Sequence, residues 1–165
     1  MKFVYLVRHA KSSWKDASDL QDLDRPLNER GERDALKMPH LLKSRGIQLD
    51  YILSSHALRA FATAHRFATV FDYNIDEIEI QDSLYHPEIQ DIWTSIQTLD
   101  NTFSQIFIFT HNPALTDFLN SFEKVQIDNL PTCGIACLVT EAVEWKFANH
   151  NNSKILWIDY PKLYM

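Results

Sequence analysis

Glycine is scarce, with three in 165 residues, at positions 31, 46 and 134. No Gly-rich loop can therefore wrap phosphates in backbone amides, which excludes a P-loop and a dinucleotide-binding fingerprint. Cysteine is scarcer still. Cys133 and Cys137 stand in a C-x-x-x-C spacing that fits neither a zinc ribbon nor a thioredoxin-type pair, and neither is followed five residues later by an arginine. The plainer reading is two small apolar residues on a late strand. No apolar run approaches the ~18 residues of a membrane helix. The apolar start stops at Arg8, too early for a signal peptide, so a cytoplasmic protein with no membrane partner is expected. Basic residues are outnumbered, 16 against 22 acidic, for a net charge of −6. That balance argues against a nucleic-acid partner, and any cationic chemistry must be local. With no His-x-His and no His-Glu-x-x-His, no metal is expected either.

What is present suits one domain over residues 1–165, with 45% hydrophobic and 23% charged residues. Short apolar runs alternate with helical patterns, which predicts an α/β fold whose mostly parallel mixed sheet is covered by helices. The first strand is 3–7, in FVYLVRHA. A polar segment leads to a helix from about Glu29 that Asn28 can cap and Gly46 can close, with Pro39 expected to kink it. DYILSS predicts the second strand. In the helix after it, Ala57, Phe61, Ala64, Ala68 and Phe71 make the buried stripe and leave Arg59 and Thr63 outside it. EIEI at 77–80 reads as an edge strand. Ile89, Ile92, Trp93, Ile96 and Leu99 make an amphipathic helix opened by Pro87. QIFIFT is a third core strand; Asn112 as cap and Pro113 in first position start the next helix. Beyond Leu130, the segments IACLVT, AVEWKFAN and KILWIDY predict antiparallel strands.

Position joins the chemistry-bearing residues. Arg8 and His9, then Arg59, then His111 each lie at or just past the carboxyl end of a core strand, where open α/β sheets bind ligands. If those strands are parallel neighbours, two arginines and two histidines converge on one cleft, where without an anion they would repel one another. A phosphoryl group fits that need, because guanidinium forks match its oxygens and its transfer asks mainly for a nucleophile and charge neutralisation. His9 is the natural nucleophile, with Arg8, Arg59 and His111 as the oxyanion clamp. Blander readings compete. Arg8 and His9 could end their strand in an ion pair with acids from 16–24, Arg59 could be a solvated helix residue, and His111 a neighbour of a helix cap. Asp24-Arg25-Pro26 is either a turn or a substrate-orienting lid.

The segments LVRHAKSSW, DLDRPLNERGERDA, ILSSHALRAFATA, DSLYH and FTHNPALTDFL, in this order over about residues 3–122, resemble the histidine phosphatase superfamily, and in particular its SixA-type phosphohistidine phosphatases. The resemblance implies a three-layer, phosphoglycerate mutase-like fold and a phosphatase whose His9 is phosphorylated during turnover. Arg8, Arg59 and His111 would form the phosphate pocket. Asn28, Tyr85, His86 and Asn112 are candidates for its rim or supporting shell. No cofactor is implied. The expected substrate is a phosphohistidine-bearing protein; the alternatives are a small phosphorylated molecule, or a non-catalytic phosphoprotein-binding module. Two positions depart from the wider superfamily, Ala10 where Arg-His-Gly is common and Thr110 where Gly-His is. The mutases' general-acid carboxylate has no clear counterpart in DSLYHPE, with Asp82 and Glu88 the nearest. An imidazole leaving group needs an acid less than an alkoxide does, which favours N–P substrates.

Overall fold

The computed structural model of the chain describes residues 1–14 and 21–165. Its strands are β1 (Lys2–Arg8), β2 (Tyr51–Ser54), β3 (Glu79–Ile80), β4 (Gln105–Thr110), β5 (Ile135–Thr140) and β6 (Ser153–Asp159). They form one six-stranded sheet in the order β3-β2-β4-β1-β5-β6. β1 to β4 run parallel, whereas β5 pairs antiparallel with β1 and β6 antiparallel with β5. The helices are α1 (Glu29–Ser44), α2 (Leu58–Val70), α3 (Ile89–Gln97) and α4 (Ala114–Asn120).

The uninterrupted apolar strands result from burial on both faces. Val4, Leu6, Ile106 and Ile108 point into a core shared with α3 and α4. The alternate residues Tyr5, Val7, Phe107 and Phe109 point into a second core against α1 and α2. Helices therefore sandwich the sheet. The connection leaving β1 goes to one face and the connection leaving β4 to the other, so a crevice opens between the carboxyl ends of these two neighbours.

Local chemistry sets the helix ends. Asn28 Oδ1 accepts from the Gly31 amide at 2.8 Å. Gly46 takes a φ of +80° just past α1, and the helix runs on through Pro39. α3 starts two residues later than Pro87 suggests, with Glu88 at its cap. Asn112 Oδ1 accepts from the Thr116 amide at 3.1 Å; Pro113 sits at the boundary of α4 rather than inside it.

Three expectations need correction. The segment AVEWKFAN is not a strand; Trp145–Phe147 form a 3-10 turn in which Trp145 is fully buried and donates its indole N–H to the Phe103 carbonyl at 2.9 Å. Its alternating pattern misled because Val143 and Phe147 hang in solvent on either side of one anchoring ring. On α2 the stripe is displaced, since Arg59, Ala60, Thr63, Ala64, Phe67 and Ala68 are buried while Phe61 and Phe71 are half-buried. Arg59 and Thr63 are thus inside it, turned toward the crevice. Finally, Cys133 lies in the turn before β5, not on the strand, while Cys137 is on it.

Candidate active site

Backbone pairing runs on past the strand tips and fixes the residues beyond them. The His9 amide donates to the Thr110 carbonyl at 3.2 Å and the Ser55 amide to the Phe109 carbonyl at 3.0 Å. His9, Ser55 and His111 are thereby set side by side at the carboxyl ends of neighbouring strands. Thr110, buried, donates its hydroxyl to the Leu84 carbonyl at 2.7 Å and needs no positive φ. Next to His9, Thr63 Oγ1 accepts from the Ala10 amide at 2.9 Å and donates to the Arg59 carbonyl at 2.8 Å. One hydroxyl ties the tip of β1 to the first turn of α2. Gly31 lets α1 close on the same loop, because a Cβ there would stand 2.1 Å from the Lys11 carbonyl oxygen.

His9 is 7% exposed, and its Nδ1 lies 2.8 Å from the Ala10 carbonyl. Only an N–H can meet a carbonyl oxygen, so Nδ1 carries the proton and Nε2 the lone pair. Burial, opposed by that backbone bond and reinforced by the charges of Arg59, Arg8 and Arg25, pushes its pKa down to about 3. The ring is neutral at physiological pH. The His111 ring stands with its centroid 5.1 Å away and is held at about 2 by burial and by the nearby His9 and Arg59. His111 Nε2 lies 2.8 Å from Ser55 Oγ, which also accepts from the Ala57 amide at 3.2 Å. The hydroxyl's one proton has no other acceptor among the described residues, which assigns it to Nε2 and leaves the ring proton on Nδ1.

Arg59, 4% exposed, is gripped by Asp22: Nη1 donates to the Asp22 carbonyl at 2.7 Å and Nη2 to its Oδ2 at 3.0 Å. Tyr85 donates its hydroxyl to the same Oδ2 at 2.6 Å, and Arg25 Nε donates to Oδ1 at 3.1 Å. Burial would raise the Asp22 pKa, but these hydrogen bonds and the Arg59 charge outweigh it and hold the carboxyl at about 2. Asp22 is therefore a carboxylate that orients, not an acid that donates. Arg25 is buried, donates Nη1 to Ser12 Oγ at 2.9 Å and lies 3.5 Å over the ring of exposed Trp14.

A pocket of about 350 Å³ gathers Arg8, His9, Arg59 and His111 with Tyr85, His86 and Asn112. Arg8 donates Nη1 to the Leu130 carbonyl at 2.9 Å, and Asp22, one of the acids considered for an ion pair at the strand end, pairs with Arg59; Asp16 and Asp19 lie outside the described residues. Asn28 does not line the pocket but caps α1. Glu88 and Asp82 are also outside it: Glu88 is at the α3 cap, and Asp82 Oδ1 lies 3.1 Å from His56 Nδ1. Sequence reasoning missed Asp22, Ser55 and Thr63 as parts of the site, and left Arg25 open between a turn and a substrate-orienting lid; Arg25 lines the pocket. The one available signal was DLDRP, where an acid precedes an arginine by three residues at a proline turn. Four cationic side chains, Arg8, Lys11, Arg25 and Arg59, face a single carboxylate among the described lining residues. Arg8 Nε, Arg59 Nε and His111 Nδ1 are buried with no acceptor. Unspent donors of this kind, in a cationic pocket, suit a multivalent oxyanion. No group of three or more metal-ligating side chains occurs among the described residues.

Comparison with known proteins agrees with this chemistry. Residues 4–85 match the histidine phosphatase superfamily (branch 1). An uncharacterized chloroplastic protein of Arabidopsis thaliana is 32% identical over 155 residues, 88% of this chain and 69% of that protein. The crystal structure of SixA from Agrobacterium tumefaciens matches at a TM-score of 0.79 and 26% identity, over 97% of this chain and 98% of that one. A structure of the protein histidine phosphatase SixA complexed with tungstate shares the fold at a TM-score of 0.82 and 18% identity, over 99% of each chain. The chain is a hydrolase of phosphorus-containing bonds and belongs to the histidine phosphatase superfamily, in its SixA-type branch.

Proposed function

We propose that the protein is a metal-independent phosphatase that removes the phosphoryl group of phosphohistidine on a partner protein through a phospho-His9 intermediate. His9 Nε2 attacks phosphorus, forming a new N–P bond as the substrate's own N–P bond breaks. The substrate ring leaves as neutral imidazole because its other nitrogen is already protonated. Water then attacks the phosphorus of phospho-His9, releasing inorganic phosphate, and the pair of electrons returns to Nε2. Through both steps the three equatorial oxygens are met by Arg8, Arg59 and the Nδ1–H of His111. Asp22 and Tyr85 act through Arg59, fixing its fork.

The observation that carries the choice of substrate is the state of the one carboxyl among the described lining residues: Asp22 is held ionised, at about 2. Among the described residues no carboxylic acid stands ready to protonate an alkoxide, which supports a leaving group that needs no such help. An ester-cleaving alternative has one foothold, His86, an exposed imidazole on the pocket wall. The test is a substrate series on the purified protein with chelator present throughout. Phosphohistidine peptide and activated aryl phosphates should turn over readily and alkyl phosphates at least about 100-fold more slowly, in keeping with the 10²–10⁴-fold worth of a general acid. Alkyl phosphates cleaved as fast as phosphohistidine, with His86→Ala abolishing only the ester activity, would replace this reading with a phosphomonoesterase. Loss of activity with chelator would refute metal independence.

A further inference from the structure

Beside the pocket lies a second, larger cavity of about 690 Å³ that shares Arg8, Lys11 and Thr132 with it. Its wall is formed by Arg30, Arg33 and Lys37, spaced by three and four residues and so on one face of α1. Lys162 adds a charge from the carboxyl-terminal segment. The groove thus holds six of the chain's 16 basic residues in a protein of net charge −6, against one acidic side chain among the described residues, Asp34, whose carboxylate is only a distant 3.9 Å from Arg30 Nε. Lys11, Arg33 and Lys162 are exposed and make no ion pair among the described residues. Like charges held this close are unfavourable unless anions come to them.

We propose that this groove binds an acidic segment of the phosphoprotein substrate, laid beside the phosphorylated residue, so that the enzyme selects partners by charge as well as by phosphoryl group. The three α1 cations alone span about 10 Å of helix, two turns. A single compact anion cannot meet charges so spread, whereas the carboxylates of an extended acidic peptide can. Arg8 lines both cavities, which places them side by side. The biological sense of the proposal rests on the phosphohistidine reading, but occupancy of the groove by acidic peptide does not.

The test combines binding and turnover. A fluorescent Glu/Asp-rich peptide without phosphate should bind the wild type, weaken steeply with salt, and lose at least about tenfold in affinity in the double variant Arg33→Glu/Lys162→Glu, a loss worth about 1.4 kcal/mol. Neither residue lines the catalytic pocket, so p-nitrophenyl phosphate turnover and tungstate affinity should stay within about twofold, which also reports an intact fold. A phosphohistidine peptide with acidic flanks should lose kcat/KM through KM, while one with neutral flanks is unaffected. Acidic-peptide binding that ignores the charge reversal would overturn the proposal. So would a groove that takes inositol hexakisphosphate or an oligonucleotide but no acidic peptide. If the peptide binds as expected but phosphohistidine is not hydrolysed, the substrate reading fails and the groove assignment stands.

Discussion

The two ends of the same strands are built on opposite rules. At the amino-terminal end, polar groups are spent within the protein. Asp50 Oδ2 accepts from the Ser104 amide at 3.0 Å and the Gln105 amide at 2.9 Å. Lys2 donates to the Asn101 carbonyl at 3.1 Å and the Trp145 indole to the Phe103 carbonyl at 2.9 Å. At the carboxyl end, Arg8 Nε, Arg59 Nε and His111 Nδ1 are buried and unspent, and two neutral histidines sit among arginines. Buried donors without acceptors cost stability. Their concentration at one end of a well-satisfied sheet marks where the fold gives up stability for chemistry.

The sharpest break in that contrast is at His9. His9→Ala should lower turnover by about 10⁴-fold or more while leaving tungstate affinity largely intact, measured by kinetics and titration calorimetry on the same preparation. A substantial residual rate would mean that another residue attacks. Next come Arg59→Ala and His111→Ala, each expected to lower kcat by about 10²–10³, the usual loss of one preorganised oxyanion donor.

Mild acid should then act chiefly on the carboxyl end. His9 and His111 have folded-state values of about 3 and about 2, below the ~6.5 of an unfolded histidine. Between those limits the unfolded chain binds protons that the folded one does not, so stability falls as pH falls. Each histidine should contribute a loss of about 2 kcal/mol between pH 7 and pH 5. Urea titrations should show this, and His9→Ala should remove about half of the dependence. Smallest is Asp50→Ala, which should cost about 1–2 kcal/mol of stability for the lost acceptor and leave kcat/KM unchanged. An effect on catalysis would mean that the two ends are not independent.

Legibility in the sequence differs between the same two regions. β1, β2 and β4 were readable because burial on both faces leaves uninterrupted apolar runs, and the polar residues at their ends, Arg8, His9 and His111, break those runs visibly. The parallel register that sets Arg8 opposite Thr110 and Ser54 opposite Phe109 then brings the candidate residues into one crevice. Asp22 escaped, and Arg25 stayed open between a turn and a lid, because both sit in the connection before α1, where no periodicity constrains a reading. Ser55 and Thr63 escaped for a different reason. Each acts through a single hydroxyl whose partners, His111 and Ala10, are 56 and 53 residues away. Trp145 shows the converse error, a local alternation that predicted a strand where one buried ring was all that mattered.

The proposed mechanism requires a covalent intermediate at one nitrogen, and rapid quenching tests it most directly. Enzyme mixed with ³²P-labelled phosphodonor and quenched in base within milliseconds should carry label that survives alkali, is released by acid, and maps by peptide sequencing to His9; His9→Ala should carry none. Label retained by the His9→Ala protein, or full turnover by wild type with no labelled enzyme at any quench time, would contradict the phospho-His9 mechanism.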